Sequence, residues 1–236
     1  MTGPPRVERR AFLGCGAVTG LAWLGGSWPL AIPRDARASL ERGPRAQLVL
    51  EGGAPVRASW LTAHRDYVFF YPFDGTPCFL LDLGKPVPGA DVSLRAGGSY
   101  AWPGGVGRGG SLVAYSAICP HTYTHPTREA AMIHYFAPDQ PASVAQRGGV
   151  ITCCVHGSAF DPAHGAVPLQ PPAELPLATV LLEWDEASDG VTAVGMLGRP
   201  VFTEFFKSFP RIARRDVAGT TTVRELAHYS AGILPC

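Results

Sequence analysis

The chain has little charge and almost no imbalance in it: 20 lysines and arginines stand against 19 aspartates and glutamates in 236 residues. No basic stripe runs through it, so binding to a nucleic-acid backbone has no electrostatic footing. Helical periodicity is missing before Thr220, which sets helical and α/β architectures aside. No internal repeat is visible, and that removes solenoids and other repeat arrays. What remains is short runs rich in Val, Leu, Phe and Tyr, broken by many of the 28 glycines and 23 prolines.

The first 38 residues read as a targeting segment. Glu8-Arg9-Arg10-Ala11-Phe12-Leu13 looks like a twin-arginine export signal, followed by an apolar run from Gly14 to Ile32. Ala36-Arg37-Ala38 offers a small-x-small cleavage site, so a mature chain is expected from Ser39, in the periplasm. The alternative is an uncleaved anchor. At 19 residues the run approaches the ~20 that span a bilayer, but it holds five glycines. Membrane contact is expected only if this segment is retained. Without it the count becomes 15 basic against 17 acidic residues.

Residues 39–202 are expected to form one all-β domain, an antiparallel sandwich or barrel, with 203–236 as a C-terminal tail. Candidate strands lie at 46–50, 56–61, 66–71, 77–83, 111–116, 149–153, 178–184, 191–196 and 201–205. Ala90–Gly110, glycine-rich, reads as loop. Thr222-Val-Arg-Glu225 has the form of a capping box and predicts a short helix over Thr222–Ala231, packed on its own domain.

Two short motifs carry the chemistry: Cys119-Pro-His121 and Cys153-Cys154-Val155-His156, followed by Gly157-Ser158, with 31 residues between the halves. Each half supplies one thiol and one imidazole and follows a candidate strand, so two loops at neighbouring strand ends can converge. Residues 117 to about 175 would form a small inserted lobe. Two Cys and two His also make a structural zinc set, although zinc modules usually begin with cysteines two to four residues apart. The split C-x-H and C-x-x-H arrangement instead fits a two-iron cluster in which two cysteines hold one iron and two histidines the other. His125 and His134 lie nearby in sequence and are read as non-ligands. Cys15 falls in the targeting segment. Cys78, Cys154 and Cys236 remain, an odd number, and no bridge is assigned.

At these motifs the chain resembles the Rieske iron–sulfur family. More narrowly it resembles the small subunit of arsenite oxidase over Tyr71–Gly84, Gly104–Gly107, Leu112–His121 and Trp184–Gly195. The resemblance implies a Rieske-type β fold with an inserted cluster-binding lobe and a [2Fe–2S] cluster held by Cys119, His121, Cys153 and His156. It also implies a tuning serine at Ser158, and a covering proline loop over Gln170–Glu174 that contains Pro171 and Pro172. Two departures matter. Thr124 and Val155 stand where quinol-oxidising members carry a disulfide between the two cluster loops, and Cys154, one position away, is expected to be an inert buried thiol. Phe160 stands where those members place a hydroxyl-bearing tyrosine. Fewer donors to the cluster sulfurs mean less stabilisation of the reduced state, so a lower potential than theirs is expected. The span 129–149 is longer than a minimal lobe needs and resembles extended lobes of some archaeal respiratory members.

The implied role is an exported electron-transfer subunit with no bond-making site of its own. It would pass electrons between a molybdopterin oxidoreductase of arsenite-oxidase type and a c-type cytochrome or similar carrier. The rival is a quinol-oxidising subunit of a cytochrome bc-type complex. A Rieske oxygenase would need a large second domain with a mononuclear iron site, for which residues 39–236 leave no room.

Overall fold

In the computed structural model the chain is described over residues 39–95 and 98–236; the expected export segment lies outside these. Fourteen strands and two helices make up the described part. In chain order they are β1 (Ser39–Val49), β2 (Tyr67–Phe70), β3 (Pro77–Asp82), β4 (Pro88–Ser93), β5 (Ser99–Gly104), β6 (Leu112–Ser116), β7 (Ile133–Phe136) and β8 (Val150–Cys153). There follow β9 (Ser158–Asp161), β10 (Val167–Gln170), β11 (Thr179–Asp185), β12 (Gly190–Gly198), α1 (Phe202–Ser208), β13 (Gly219–Thr222), β14 (Arg224–Glu225) and α2 (Leu226–Tyr229). Among the described residues no helix is long and apolar enough to cross a membrane.

The all-β expectation holds. Eight strands form the base sheet in the order β13-β1-β12-β11-β6-β3-β2-β14. Its edge strands, β13 and β14, are consecutive in the chain, so one segment brings the two edges together and nearly closes the sheet. The Thr221 hydroxyl secures that seam, donating to the Phe70 carbonyl at 2.8 Å. Closure protects edges that would otherwise present unpaired backbone groups. Inside lies one apolar core that includes Leu48, Phe69, Leu80 and Phe205. A second core joins the base to the inserted lobe through Tyr115, Trp102, Ile133, Ile151 and Phe160.

The lobe is a four-stranded sheet, β10-β9-β8-β7, inserted between β6 and β11. The long span 129–149 supplies β7, its edge strand. Buried Tyr115 of β6 donates to the Pro162 carbonyl at 2.7 Å, pinning lobe to base. Gly165 at φ +71° lets the lobe chain return against the β4–β5 hairpin; a Cβ there would sit 2.5 Å from Val92 Cγ2.

Three expectations fail for readable reasons. The stretch 201–205 is helix α1, not strand: Phe202, Phe205, Phe206 and Phe209 recur at i, i+3, i+4 and i+7, and the first three are buried. The segment 56–61 makes a 3₁₀ turn at Ala58–Trp60 instead of a strand. Within the expected 90–110 loop lies much of the β4–β5 hairpin, whose inward Tyr100 and Trp102 are spaced by two on β5, with inward Val92 of β4 opposite Tyr100. The C-terminal helix is present but only one turn long. Val223 to Glu225 are drawn off to complete the base, with Arg224 opposite Val68 and Glu225 opposite Tyr67, so Thr222 caps nothing.

Asp66 sits where base, lobe and tail meet. Its carboxylate accepts from the Tyr135 N–H of β7 at 2.7 Å, and its carbonyl from the Leu226 N–H of α2 at 2.8 Å. Burial pushes this carboxyl up to about 7, against the Tyr135 hydrogen bond, which lowers it. A carboxyl whose folded pKa is raised binds its proton more tightly when folded, so stability falls as pH rises from near 4 towards 7 and is then flat. The loss is at most on the order of 4 kcal/mol, and less because Asp66 keeps part of its surface in water. Denaturant midpoints for the wild type and Asp66→Asn between pH 4 and 8 are expected to diverge over that window. Parallel curves would contradict the assignment.

Candidate metal centre

β6 runs straight into the first loop and β8 into the second. Backbone bonds shape loop one: Cys119 N–H donates to the Thr124 carbonyl at 2.8 Å, and Tyr123 N–H to the Cys119 carbonyl at 2.9 Å. In loop two, Gly157 N–H donates to the Cys153 carbonyl at 2.9 Å. Gly157 takes φ +81°, a turn that sends Ser158 back into the lobe as the first residue of β9. The Gln170 amide reaches across to the Gly157 carbonyl at 2.6 Å, so the proline loop braces loop two directly.

The four sequence-predicted donors come together as two pairs. Cys119 and Cys153 are fully buried. Their thiols face each other, and the Cys153 contact and burial both raise the pKa of Cys119. The pKa of Cys153 is lowered, first by the hydrogen bond from Cys119 and then, against burial, by the Val155 and His156 N–H groups and the Thr124 hydroxyl. These are donors that stabilise an anionic sulfur. His121 and His156 are exposed at the tip, with ring centroids 5.0 Å apart and planes at 84°. The Thr122 hydroxyl lies 3.2 Å from His156 Nδ1, tying the second imidazole to the first loop. Among the described residues no three His, Cys, Asp or Glu side chains converge on a single-ion position. A tetrahedral zinc would need such convergence; buried thiols beneath exposed imidazoles form a two-tier set suited to two metal atoms.

The other expected site residues surround this set. Ser158 is fully buried and its oxygen accepts from the Ala173 N–H at 3.0 Å; it lies beside Cys119, whose pKa its influence lowers. Phe160, also fully buried, contributes ring but no donor. Pro171 and Pro172, joined by a cis peptide, precede Ala173 and set the loop that presents its N–H. Beside His121 opens a cleft of about 560 Å³ lined by Arg95, Pro120, Pro172, Glu174 and Arg199. A larger cleft, about 1010 Å³ along 54–60 and 186–189, lies at the opposite end of β6 and β11, away from the donors.

His125 and His134 are engaged elsewhere. His125 donates from Nδ1 to the Tyr123 carbonyl at 2.9 Å, and burial lowers its pKa. His134 lies 3.0 Å from the Leu234 carbonyl through Nε2. Cys154 is not an inert thiol: it is bonded to Cys236, 82 residues away, with Cα atoms 5.3 Å apart. The half-exposed position of Cys154, against the buried Cys153, turns its sulfur out of the core towards the tail. Sequence alone carried no signal for that pairing, because it depends on where residue 236 ends in space.

Residues 99–180, a span holding all four donors, match the family model described as the Rieske [2Fe-2S] domain. This segment is therefore a Rieske domain, and such a domain implies a [2Fe–2S] cluster and electron transfer. Among solved structures the chain is similar to the soluble domain of the Rieske protein II (soxF) from Sulfolobus acidocaldarius. The identity is 24% over 65% of this chain and 78% of that chain, with a TM-score of 0.47.

Proposed function

We propose that Cys119 and Cys153 bind one iron as thiolates and His121 and His156 the other. On this reading the chain is an exported electron-transfer subunit, serving a molybdopterin oxidoreductase of arsenite-oxidase type and a periplasmic c-type cytochrome or similar carrier. The observation that carries it is the two-tier donor set, with buried hydrogen-bonded thiols below and paired imidazoles at the exposed tip. Bound there, a [2Fe–2S] cluster supplies one-electron chemistry.

The protein's own groups do the rest. N–H groups of His121, Val155 and His156, with the Ser158 and Thr124 hydroxyls, hold negative charge on the sulfurs. The proline loop and the lobe core keep water from that tier. The outer edges of the His121 and His156 rings stand at the surface, where a partner makes contact. Beside His121, Arg95 is paired with Glu174 at 3.7 Å, and Arg199 adds one further positive charge to the cleft for an acidic group of the partner. The missing bridge between the loops at Thr124 and Val155 supports service to a partner enzyme over quinol oxidation.

Rapid mixing separates the two roles. The reduced protein is expected to pass its electron to a ferric c-type cytochrome, and the oxidised protein to stay oxidised with a quinol analogue over the same interval. Fast reduction by quinol with slow cytochrome exchange would overturn the partner assignment and support the respiratory one.

A further inference from the structure

Past β12 the chain wraps the lobe and grips each donor loop separately. On loop one, the buried His125 ring stands edge-on to Phe205 and Phe209, each centroid 4.9 Å away. On the far side, residues 230–236 lie along residues 127–134 as an added edge. The Ser230 hydroxyl donates to the Thr127 carbonyl at 2.6 Å and Ala231 N–H to the Arg128 carbonyl at 2.8 Å. Ala131 N–H donates to the Gly232 carbonyl at 2.8 Å, and Leu234 N–H returns to the Ala131 carbonyl at 3.0 Å. The Cys236 carbonyl accepts from Ser143 N–H at 2.8 Å, and its sulfur is bonded to Cys154, next to the donor Cys153. Cys154 N–H donates to the Met132 carbonyl at 2.9 Å, so the bonded residue is also fixed to the segment the tail lies on.

We infer that the Cys154–Cys236 bond is the catch by which the C-terminal tail positions the second donor loop, in place of a bridge between the two loops. The inference rests on the reading that Cys153 and His156 are ligands. No covalent bond connects the two loops: the Thr124 hydroxyl lies 3.3 Å from that of Thr122, within loop one, and Val155 points outward, 43% exposed. Loop two therefore has covalent restraint from one direction only, the tail. The tail is in turn rooted in the base through β13 and β14, so lobe and base are tied through the chain terminus. Cys154 and Cys236 touch neither iron nor partner in this account; they are positioning residues acting through Cys153.

The test uses the full chain carrying its cluster, with Cys236→Ser, Cys154→Ser and the double variant. Loss of iron to a chelator is expected to accelerate about tenfold or more in each, because the bond restrains local opening. The double variant should match the singles, since all three break one bond. Hydrogen exchange should rise over 128–136 and 150–158 and stay unchanged in β1, β11 and β12. Reduction by a dithiol, which takes two electrons and two protons into the bond and leaves two thiols, should reproduce the variants. Unchanged iron retention, free thiols at both positions in the native protein, or exchange rising equally in the base strands would each overturn the inference. Should the wild-type protein bind no [2Fe–2S] cluster, the ligand reading falls. The exchange pattern over 150–158 then still decides whether the tail holds the loop.

Discussion

Replacing Cys153 with serine is expected to abolish the iron–sulfur chromophore, taking bound iron from two atoms per chain to near zero. Serine matches cysteine in shape, so the fold should survive; a buried hydroxyl in place of a thiol costs about 1–3 kcal/mol. The loss is chemical. The Val155 and His156 N–H groups and the Thr124 hydroxyl favour a sulfur anion there and lower the pKa of the thiol. A serine hydroxyl stays protonated there and is a poor ligand for iron. Thr124→Val removes one of those donors and should weaken retention without abolishing it. Iron content and visible absorption, with circular dichroism to check the fold, measure the outcome. Full retention of iron in Cys153→Ser would remove Cys153 from the ligand set.

The second large effect is on the reduction potential. Ser158 has no surface exposure, and the Ala173 N–H occupies its oxygen at 3.0 Å. The side chain lies beside Cys119 and lowers that thiol's pKa, which places its hydroxyl to donate to a sulfur anion there. A hydrogen bond to a charged acceptor is worth about 1.5–3 kcal/mol, and only the part by which it strengthens on reduction counts, so Ser158→Ala should lower a one-electron potential by less than roughly 130 mV. Phe160→Tyr restores the hydroxyl that the sequence lacks and should move the potential upward. A redox titration followed by visible spectroscopy reads both shifts. No change in Ser158→Ala would mean that its hydroxyl does not reach the sulfur tier.

The donor set was legible in the sequence because Cys119, His121, Cys153 and His156 occupy two short motifs whose spacing limits their chemistry. The base strands were legible for a related reason: alternating or continuous apolar runs such as 77–83 and 178–184 lie at strand length. What escaped depended on distance in space. Phe202 to Phe209 carry a helical period, but within a short apolar run the first five residues pass equally for a strand. The β4–β5 hairpin hid behind its glycines, although Val92, Tyr100 and Trp102 alternate inward. The capping box at Thr222–Glu225 lost to pairing with β2, where tertiary contact outweighs local propensity. The Cys154–Cys236 bond had no local signal at all, since only the path of the tail brings those residues together.

The ligand assignment is the central claim, and one measurement reaches it directly. Chemically reduced protein labelled with ¹⁵N-histidine should give a rhombic paramagnetic resonance signal, and double-resonance spectra should show coupling to two histidine nitrogens. Both couplings should be altered or lost one at a time in His121→Ala and His156→Ala. A signal with no histidine coupling, or no paramagnetic signal with stoichiometric zinc, would contradict the account.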